Sequence, residues 1–528
     1  MSPPPLRRAA PTLLAGALAL VYVIVSPPSL DLAAHLLRAQ LFRAEGFGLW
    51  SNWWYGGHHV PGYSVLFPPV AALLSPQLAG ALAAVGTATL FELLGWRRFG
   101  ERAWLGALWF GAATATDLFT GRLTFAFGLL PAMATAVALQ RRRAGAGALL
   151  AIVTALASPV AALFAALAGG AYALGGWIAE RDRRAVLGGG LVAVAALVPV
   201  ALLAVAFPEG GVEPFAPSSL WPIVVVGVLV LAALPRRDWA LRAGVTVYLA
   251  GCLASYAIPS PIGGNAVRLG ALLAGPLAAL LWWRRRVAWL ALAALPLLYL
   301  QWQPPVRDLS TAAGDPSAAA SYWQPLLAFF TRQPGPPFRV EVPFTQFHME
   351  AYRVAPRFPI ARGWERQLDI RYNRLFYDGT LDAATYEAWL HRLAIRFVAV
   401  SDARLDYSGR AEQALIGHGL PYLRPVMRTR HWQVYAVARA TPLVSGAARL
   451  SAIGANSLTL RATRPGTAFV RVHFTPYWAL AGGSGCVQPA GDFTALRLRA
   501  AGPVRLVISF SLSRIGARSP RCSAGREP

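Results

Sequence analysis

The sequence contains no lysine and few charged residues of any kind. Charged residues account for 14% of the 528 residues, hydrophobic residues for 56%, and the mean hydropathy is +0.45. Such a composition excludes an ordinary soluble globular protein, which needs a larger share of charge to cover its surface. The sequence therefore predicts a protein that crosses a membrane several times.

The positive charge comes from arginine alone. The formal net charge is +25, because 49 basic residues outnumber 24 acidic ones. Proteins that bind nucleic acid are often this basic. Here, however, most arginines lie in short clusters between apolar segments, which is typical of loops retained in the cytoplasm. The pattern argues against a nucleic-acid partner.

Cysteine is nearly absent, and internal repeats are missing. The spacing of Cys252, Cys486 and Cys522 matches no common metal site. Cys486 and Cys522 both follow residue 302, in a region predicted to lie outside the cytoplasm, where a disulfide is permitted; two free thiols are the open alternative. The lack of a repeat argues against a transporter built from two similar halves.

Eleven apolar segments precede residue 303. Several are shorter than the roughly 20 residues that a straight span needs, so their ends are approximate. Ser158-Pro159 separates two of the short segments, which we interpret as two spans. The segments cover residues 11–26, 76–95, 103–116, 123–140, 144–158, 160–179, 185–207, 219–234, 243–258, 268–283 and 287–302.

The arginine clusters predict the topology. Arg7 and Arg8 precede the first segment, which we interpret as a retained span because no clear cleavage site follows it. Eleven spans place every arginine cluster between the spans on the cytoplasmic side. We therefore expect a multi-pass protein of the cell membrane, with its N-terminus in the cytoplasm and its C-terminal region outside.

The composition changes after residue 302, where polar and strand-like patterns begin. Strand patterns at 339–343 and 394–401 surround a helical pattern at 383–393. Later, short strands alternate with Gly and Pro turns, as in a β-sandwich. The predicted fold class is an α-helical polytopic membrane domain (1–302), a linker (303–336), an extracytoplasmic α/β module (337–441), and a small β-sandwich with a tail (442–528).

The loop after the first span contains a candidate functional site. Asp31 and His35 are four residues apart at the start of a predicted helix over residues 32–45, so both side chains lie on one face. Ionisable residues beside a membrane span are candidates for function. Asp31 suits a general base or a metal ligand, and a helix N-cap is the open alternative.

The same loop continues with tryptophans and histidines. Trp54, His58 and His59 are candidate substrate-binding residues, although Trp53 and Trp54 are also typical of anchors at the lipid boundary. His35 is a candidate catalytic residue that could orient Asp31 or bind a divalent metal together with it, and the two later histidines could complete the ligand set. Histidines that are simply hydrogen-bonded are the alternative.

Two further outer loops contain candidate phosphate contacts. Asp117 and Arg122 flank one loop and form either a second binding element or only a pair with each other. Asn265 and Arg268 belong to the loop over residues 259–268, where Gly263-Gly264 would let the backbone approach a ligand. Arg268 suits bidentate contact with phosphate, and a tight turn with a snorkelling arginine is the alternative.

One run in the α/β module is also polar and aromatic. It contains Trp364, Glu365 and Arg366 and continues to Arg374. These side chains could hold an acceptor sugar, and an ordinary charged surface loop is the alternative.

Taken together, these motifs resemble a known family. A first span, the Asp31-x-x-x-His35 pattern and a Trp- and Gly-rich run into Phe67-Pro68-Pro69 resemble the bacterial membrane family labelled 6-pyruvoyl-tetrahydropterin synthase-related. The strand at 395–400 and the run at 473–479 resemble its C-terminal half. That family belongs with the GT-C-type glycosyltransferases, and the pterin chemistry of its label does not carry over.

The resemblance implies a function. It implies a membrane glycosyltransferase that moves a sugar from a polyprenyl-phosphate donor to an envelope glycan or lipid acceptor on the outer face. In such an enzyme an acidic residue of the first outer loop, here Asp31, is central. The alternative is a non-catalytic membrane protein that binds or transports an envelope lipid or glycan.

Overall fold

The computed structural model describes residues 5–523, and the chain within that range forms two compact units. The first, here called the helical unit, comprises the residues up to His35, Gly62–Ala204 and Gly210–Ala313. The second, here called the mixed unit, comprises Leu36–Pro61, Val205–Glu209 and the residues from Gly314 onward. The side chain of Arg7 and the last five residues of the predicted tail lie outside the described residues.

Every apolar segment predicted from the sequence lies in a helix. The short α2 and α3 stand between the first and second of these apolar helices. The helices are α1 (Pro5–Val25), α2 (Leu32–Glu45), α3 (Phe67–Leu74), α4 (Pro76–Phe99), α5 (Ala103–Phe119), α6 (Leu123–Gln140), α7 (Ala144–Ala157), α8 (Pro159–Glu180), α9 (Arg183–Ala206), α10 (Pro217–Ala233), α11 (Trp239–Ala257), α12 (Arg268–Trp282) and α13 (Val287–Ala312).

These helices make the chain a membrane protein. Among the described residues, seven helical stretches are long and apolar enough to cross a membrane. One of them, Pro76–Phe119, consists of α4 and α5 joined by a single 3₁₀ turn, while α7 and α10 are apolar but shorter. Eleven crossings, and the side on which each end lies, remain predictions.

The chain breaks between α7 and α8 at Ser158-Pro159, as expected, while the interpretation of these two helices as two spans remains a prediction. Ser158 has an extended backbone, and its Oγ accepts a hydrogen bond from the Ala161 N–H at 3.4 Å. Pro159 then occupies the first helical position, where its missing N–H leaves no intrahelical bond unmade. The sequence therefore starts a new helix at this point.

The α/β module follows in the mixed unit and confirms the predicted strands and helix. Its four-stranded sheet has the order β3 (Arg339–Glu341), β4 (Ile395–Ser401), β6 (Trp432–Val437) and β5 (Leu423–Arg428), with β3 parallel to β4 and the other neighbours antiparallel. A separate hairpin, β1 (Trp50–Ser51) with β2 (His58–His59), belongs to the segment between α2 and α3, here called the first polar loop. The module contains α14 (Ala320–Thr331), β3 (Arg339–Glu341), α15 (Glu350–Arg353), α16 (Arg366–Tyr372), α17 (Ala383–Arg392), β4 (Ile395–Ser401), α18 (Tyr407–Gly417), β5 (Leu423–Arg428) and β6 (Trp432–Val437).

The predicted linker at 303–336 is largely helical instead. Helix α13 continues to Ala312, and α14 occupies residues 320–331. In α14 the large side chains of Tyr322, Trp323, Leu326 and Phe330 are buried. Composition alone suggested a linker because Pro, Ala, Ser and Gly surround these few large residues.

The chain ends in the predicted β-sandwich. Its two sheets have the orders β15-β12-β13-β10-β7 and β11-β14-β9-β8, and leucine and valine side chains from both form one core. A disulfide joins Cys486 to Cys522. The strands are β7 (Val444–Gly446), β8 (Ala448–Ile453), β9 (Ser457–Ala462), β10 (Gly466–His473), β11 (Trp478–Gly482), β12 (Gly485–Ala490), β13 (Phe493–Leu498), β14 (Gly502–Ile508) and β15 (Arg521–Cys522).

The polar loop that we assigned to the membrane domain belongs mostly to the mixed unit. The Asn52 N–H donates to the Ala455 carbonyl at 2.7 Å, and the Ile360 N–H donates to the Trp53 carbonyl at 2.9 Å. The loop thereby joins the sandwich to the α/β module. Periodicity could not reveal this, because the partners lie more than 300 residues away in the sequence.

Candidate functional site

The helical unit brings together a cluster of charged side chains from separate loops. Asp31 directly precedes α2, Asp117 lies near the end of α5, Arg122 occupies the turn before α6, and Arg268 begins α12. Asp117 is buried, and its Oδ1 lies 3.9 Å from Nη1 of Arg122. We call Asp31, Asp117, Arg122 and Arg268 the charged cluster. All four were singled out from the sequence.

Arg122 interacts electrostatically with the other members of the charged cluster. Burial and, next, the positive charge of Arg268 lower the pKa of Arg122, while Asp117, Asp31 and Asp308 act in the opposite direction. Two guanidinium groups that repel each other in a partly desolvated place favour the binding of an anion. Asp308, on α13, is a member of this environment that the sequence analysis did not single out.

The turn before α6 packs closely on the segment that contains Asp31. Gly121 has a φ of +76°, and a Cβ atom there would lie 2.2 Å from Ser29 Oγ and 3.4 Å from the Asp31 nitrogen. Only glycine suits this backbone and this contact. The contact fixes Arg122 beside the start of α2.

His35 holds the same turn from the other side. It is buried, with Nε2 3.0 Å from the Gly121 carbonyl oxygen and Nδ1 3.3 Å from Thr124 Oγ1. A carbonyl only accepts, so Nε2 carries a proton and donates to it, while Nδ1 and the threonine hydroxyl share the second hydrogen bond. Both ring nitrogens therefore have partners, and His35 positions the turn in this arrangement.

The loop before α12 is more tightly packed than its two glycines suggested. A Cβ at Gly263 would lie 2.0 Å from the Glu213 carbonyl oxygen, so this glycine allows contact with another loop of the chain. The Asn265 N–H donates to the Ile262 carbonyl within the 3₁₀ turn. The guanidinium carbon of Arg268 lies 5.5 Å from the centre of the Phe125 ring, which fixes its direction.

A metal site is not evident among these residues. Within residues 5–523, no group of three or more His, Cys, Asp or Glu side chains is placed to hold a metal ion. Asp31 and His35 would supply two ligands, and both nitrogens of His35 already have partners. The possible divalent metal remains a prediction, and no step below depends on it.

Trp54 and His58 lie in the mixed unit and are buried. Trp54 is 1% exposed and donates from Nε1 to the Ala351 carbonyl at 3.1 Å. Its ring stacks on His58, with 5.5 Å between the centroids. Burial lowers the pKa of His58 to about 4, so this ring is neutral at pH 7. The expectation of a lipid-boundary anchor at Trp53-Trp54 is wrong, because both side chains pack inside the protein.

His59 is part of a hydrogen-bond network with an acid that the sequence analysis missed. Its Nδ1 lies 2.8 Å from Glu209 Oε1, and its Nε2 lies 3.0 Å from Thr475 Oγ1. The Tyr372 hydroxyl donates to Glu209 Oε2 at 3.0 Å. Glu209 is one of only two acids in the loop after α9, which was the available signal.

The run at 364–374 is not a surface loop. Glu365 is buried and pairs with Arg38, whose guanidinium also lies over the Trp54 and Trp364 rings. Asp369 and Asn373 are fully buried as well. The alternation of charged and aromatic residues could not show this burial, since Arg38 is 327 residues away.

Comparisons with known proteins leave the family open. No model of a known protein family matches the chain, and no curated protein matches it. The resemblance to the 6-pyruvoyl-tetrahydropterin synthase-related family is therefore unsupported. One similar solved structure is the single-particle cryo-EM structure of the arabinofuranosyltransferase AftD from mycobacteria, with a TM-score of 0.45 and 15% identity. The match covers 97% of this chain and 58% of that one, so this chain spans less than two thirds of its length.

Proposed function

We propose that the chain is a GT-C-type membrane glycosyltransferase that moves a sugar from a polyprenyl-phosphate donor to an envelope glycan or lipid acceptor on the outer face. The observation that carries this proposal is the charged cluster, in which Arg122 interacts with the charges of Arg268, Asp31 and Asp117. Paired arginines favour a phosphate, and an adjacent carboxylate favours removal of a proton.

The chemistry needs few groups. Asp31 accepts the proton of the acceptor hydroxyl, whose oxygen attacks the anomeric carbon of the donor sugar. The bond between that carbon and the phosphate oxygen breaks, and the polyprenyl phosphate leaves with one more negative charge. Arg122 and Arg268 stabilise this growing charge, so a general acid is not required.

Asp31 suits the base better than Asp117. Asp117 is 4% exposed and faces Arg122, whereas Asp31 is half-buried at the start of α2. A base must reach the substrate, so the more accessible carboxylate takes that role. Asp117 then helps to orient Arg122, and His35 keeps the turn in place.

The mixed unit contributes differently from what the sequence suggested. Trp54 and His58 offer no exposed surface to a substrate, and His59 is held by Glu209 and Thr475. In this arrangement the three residues stabilise the first polar loop. Their predicted substrate contacts would require that loop to open.

A transfer assay tests the proposal. Purified protein would be incubated with a panel of radiolabelled polyprenyl-phosphate sugars and membrane-derived acceptors. We expect wild type to transfer one of these sugars, and the Arg122→Gln/Arg268→Gln variant to lose transfer. Arg285→Gln, at an exposed arginine of the helical unit, is the matched control. Equal activity of all three proteins would contradict the assigned phosphate site.

The outer-face assignment has its own test. The arginine pattern places residues after 302 outside, so a reporter that works only outside the cytoplasm should be active when fused after residue 340. A matched fusion to a reporter that works only in the cytoplasm should be inactive. The reverse result would move the reaction to the other face.

A non-catalytic role is the second candidate. The two arginines would also hold the phosphate of an envelope lipid without any bond being broken. Binding of a polyprenyl-phosphate sugar without turnover, unchanged by Asp31→Asn, would favour a protein that binds or transports such a lipid.

A further inference from the structure

The β-sandwich of the mixed unit is strongly basic. Residues 443–523 contain ten arginines but only one acid, Asp492. Four arginines donate hydrogen bonds to backbone carbonyls, namely Arg471, Arg514, Arg518 and Arg521. Among the described residues, the other six side chains make no hydrogen bond or ion pair: Arg449, Arg461, Arg464, Arg497, Arg499 and Arg505. All six are exposed.

These six arginines gather at one end of the sandwich, here called the basic end. Arg449 on β8 is directly opposite Arg461 on β9. Arg461 in turn is opposite Pro503 on β14, with Arg505 two residues further along that strand. Directly opposite residues have Cβ atoms only about 5 Å apart, so like charges there repel.

The other sheet and the turns complete the basic end. Arg497 stands one residue before Leu498, which pairs with Gly466 at the start of β10 and Gly485 at the start of β12. Arg464 lies in the turn between β9 and β10, and Arg499 directly follows β13. Both turns are therefore at the same end as Arg461.

The opposite end of the sandwich, here called the packed end, contacts other parts of the mixed unit. There the turn between β8 and β9 contacts the end of α2, since the Ala455 N–H donates to Glu45 Oε1 at 3.2 Å. The Tyr477 hydroxyl donates to the Ala206 carbonyl at 2.5 Å. Asp492 lies in a turn at that end too. The single acid of residues 443–523 thus lies at the packed end, and the basic end has no acid within those residues.

We propose that the basic end binds a flexible anionic chain of phosphodiester-linked polyol or glycan units. Exposed arginines at neighbouring positions without a partner favour a multivalent anion. Each guanidinium group can also donate two hydrogen bonds to phosphate oxygens. The proposal stands on this surface alone and does not depend on the proposed transfer reaction.

The shape of the surface favours a chain over a membrane or a nucleic acid. The arginines occupy the outer faces of two sheets and the turns between them, so a flat bilayer would meet only some of them. The exposed large apolar side chains of the sandwich, Phe510 and Leu512, follow β14 at the packed end. Among the residues that the structure describes, the basic end therefore has no large exposed apolar side chain to insert into lipid and no exposed aromatic ring on which bases could stack.

Binding of poly(glycerol phosphate) tests this proposal. Full-length protein in zwitterionic lipid nanodiscs would be titrated with the fluorescently labelled polymer at several salt concentrations. We expect binding that weakens as salt rises, and a loss of about tenfold in affinity for Arg449→Gln/Arg461→Gln/Arg505→Gln. The matched control is Arg410→Gln/Arg428→Gln/Arg430→Gln, which removes the same charge from exposed positions of the α/β module.

Four results would overturn the proposal. Equal losses in the two triple variants would mean that only net charge matters, and no binding at low salt would mean that the surface has no such ligand. Tighter binding to vesicles of phosphatidylcholine and phosphatidylglycerol would identify a membrane contact. Tighter binding to a single-stranded oligonucleotide of equal charge would identify a nucleic-acid contact.

Discussion

Arg122 of the helical unit and Arg362 of the mixed unit both face aspartates, but their surroundings differ. Arg362 is 1% exposed and donates to Asp369 at 2.6 Å and to Glu412 at 3.2 Å. Its guanidinium lies between two aromatic rings, 3.9 Å from the centre of Phe344 and 4.0 Å from that of Phe376. Every face of this arginine is occupied.

The charges of the arginines in the charged cluster are less completely compensated by carboxylates. The side chain of Arg122 is 30% exposed, and its distance to Asp117 is 3.9 Å, longer than a hydrogen bond. Arg268 adds a second positive charge instead of a second acid. Arg362 therefore has a structural role, because its charge is already compensated, whereas the incompletely compensated charges of Arg122 and Arg268 fit the phosphate site that we propose.

The first and largest expected effect concerns Asp31. Asp31→Asn should reduce the turnover number by about 10²- to 10⁴-fold, because the amide cannot accept the proton of the acceptor. Asparagine caps helices as well as aspartate does, so folding should be unaffected. Initial rates of sugar transfer and thermal unfolding would be measured together.

Asp492→Asn is the matched control for Asp31→Asn, since it changes an exposed aspartate in the same way. Full activity of Asp31→Asn would leave Asp31 as a helix cap only. Alanine would not separate the two roles, because it removes both the base and the cap.

The second prediction tests the structural role of Arg362. Arg362→Met should destabilise the α/β module by about 3 to 5 kcal/mol, because Asp369 and Glu412 would be left buried without a counter-charge. Adding Asp369→Asn and Glu412→Gln should restore much of the loss. Unfolding of the full-length protein would be followed by tryptophan fluorescence, with Arg410→Gln as the exposed control. If Arg362→Met unfolds like wild type, the network does not stabilise the module.

The third prediction tests whether Arg268 stabilises the donor phosphate. Arg268→Gln should lower transfer by about 10²-fold, as for loss of one group that stabilises the transition state. Arg268→Lys keeps the charge but loses the fork, so a loss of about tenfold is expected. Transfer and donor binding would be measured for both, beside Arg285→Gln. Wild-type values in both variants would make Arg268 a snorkelling anchor and leave the phosphate to Arg122.

The sequence predicted those parts of the structure that depend on local pattern. Apolar length predicted the membrane helices, alternation predicted β3, and the pattern of a buried strand predicted β4. The break at Ser158-Pro159 followed from one capping residue and one proline. The charged cluster was predictable as a set of candidates, because its members stand in loops between apolar segments.

The features that the sequence did not predict depend on contacts between residues far apart in the chain. Glu209 reaches His59 across 150 residues, and Arg38 reaches Glu365 across 327. No periodicity encodes such partners. The first polar loop was assigned to the membrane domain for the same reason, since its burial depends on strands and turns near residues 360 and 455.

The last prediction concerns pH and the buried acids around Arg362. Glu350 is fully buried, and its Oε2 accepts a hydrogen bond from the Thr345 hydroxyl at 2.6 Å. Burial raises the pKa of Glu350 from 4.5 to about 8, although the hydrogen bonds from Thr345 and the charge of Arg362 oppose this. The neighbouring His348 has a pKa lowered by burial to about 4, so it provides no positive charge at neutral pH.

A raised pKa means that the folded state holds the proton more tightly than the unfolded state. The stability that Glu350 contributes is therefore present below about pH 4.5 and is lost as the pH rises towards 8. Glu350→Gln mimics the protonated acid, so the variant should lack this loss and be more stable than wild type at pH 8. Amide hydrogen exchange of β3 and α15 in the full-length protein, corrected for intrinsic exchange, would measure it at pH 5 and pH 8. Glu387→Gln, at a half-buried acid of α17, should keep the wild-type pH dependence, and a parallel decline in all three proteins would assign the effect to another group.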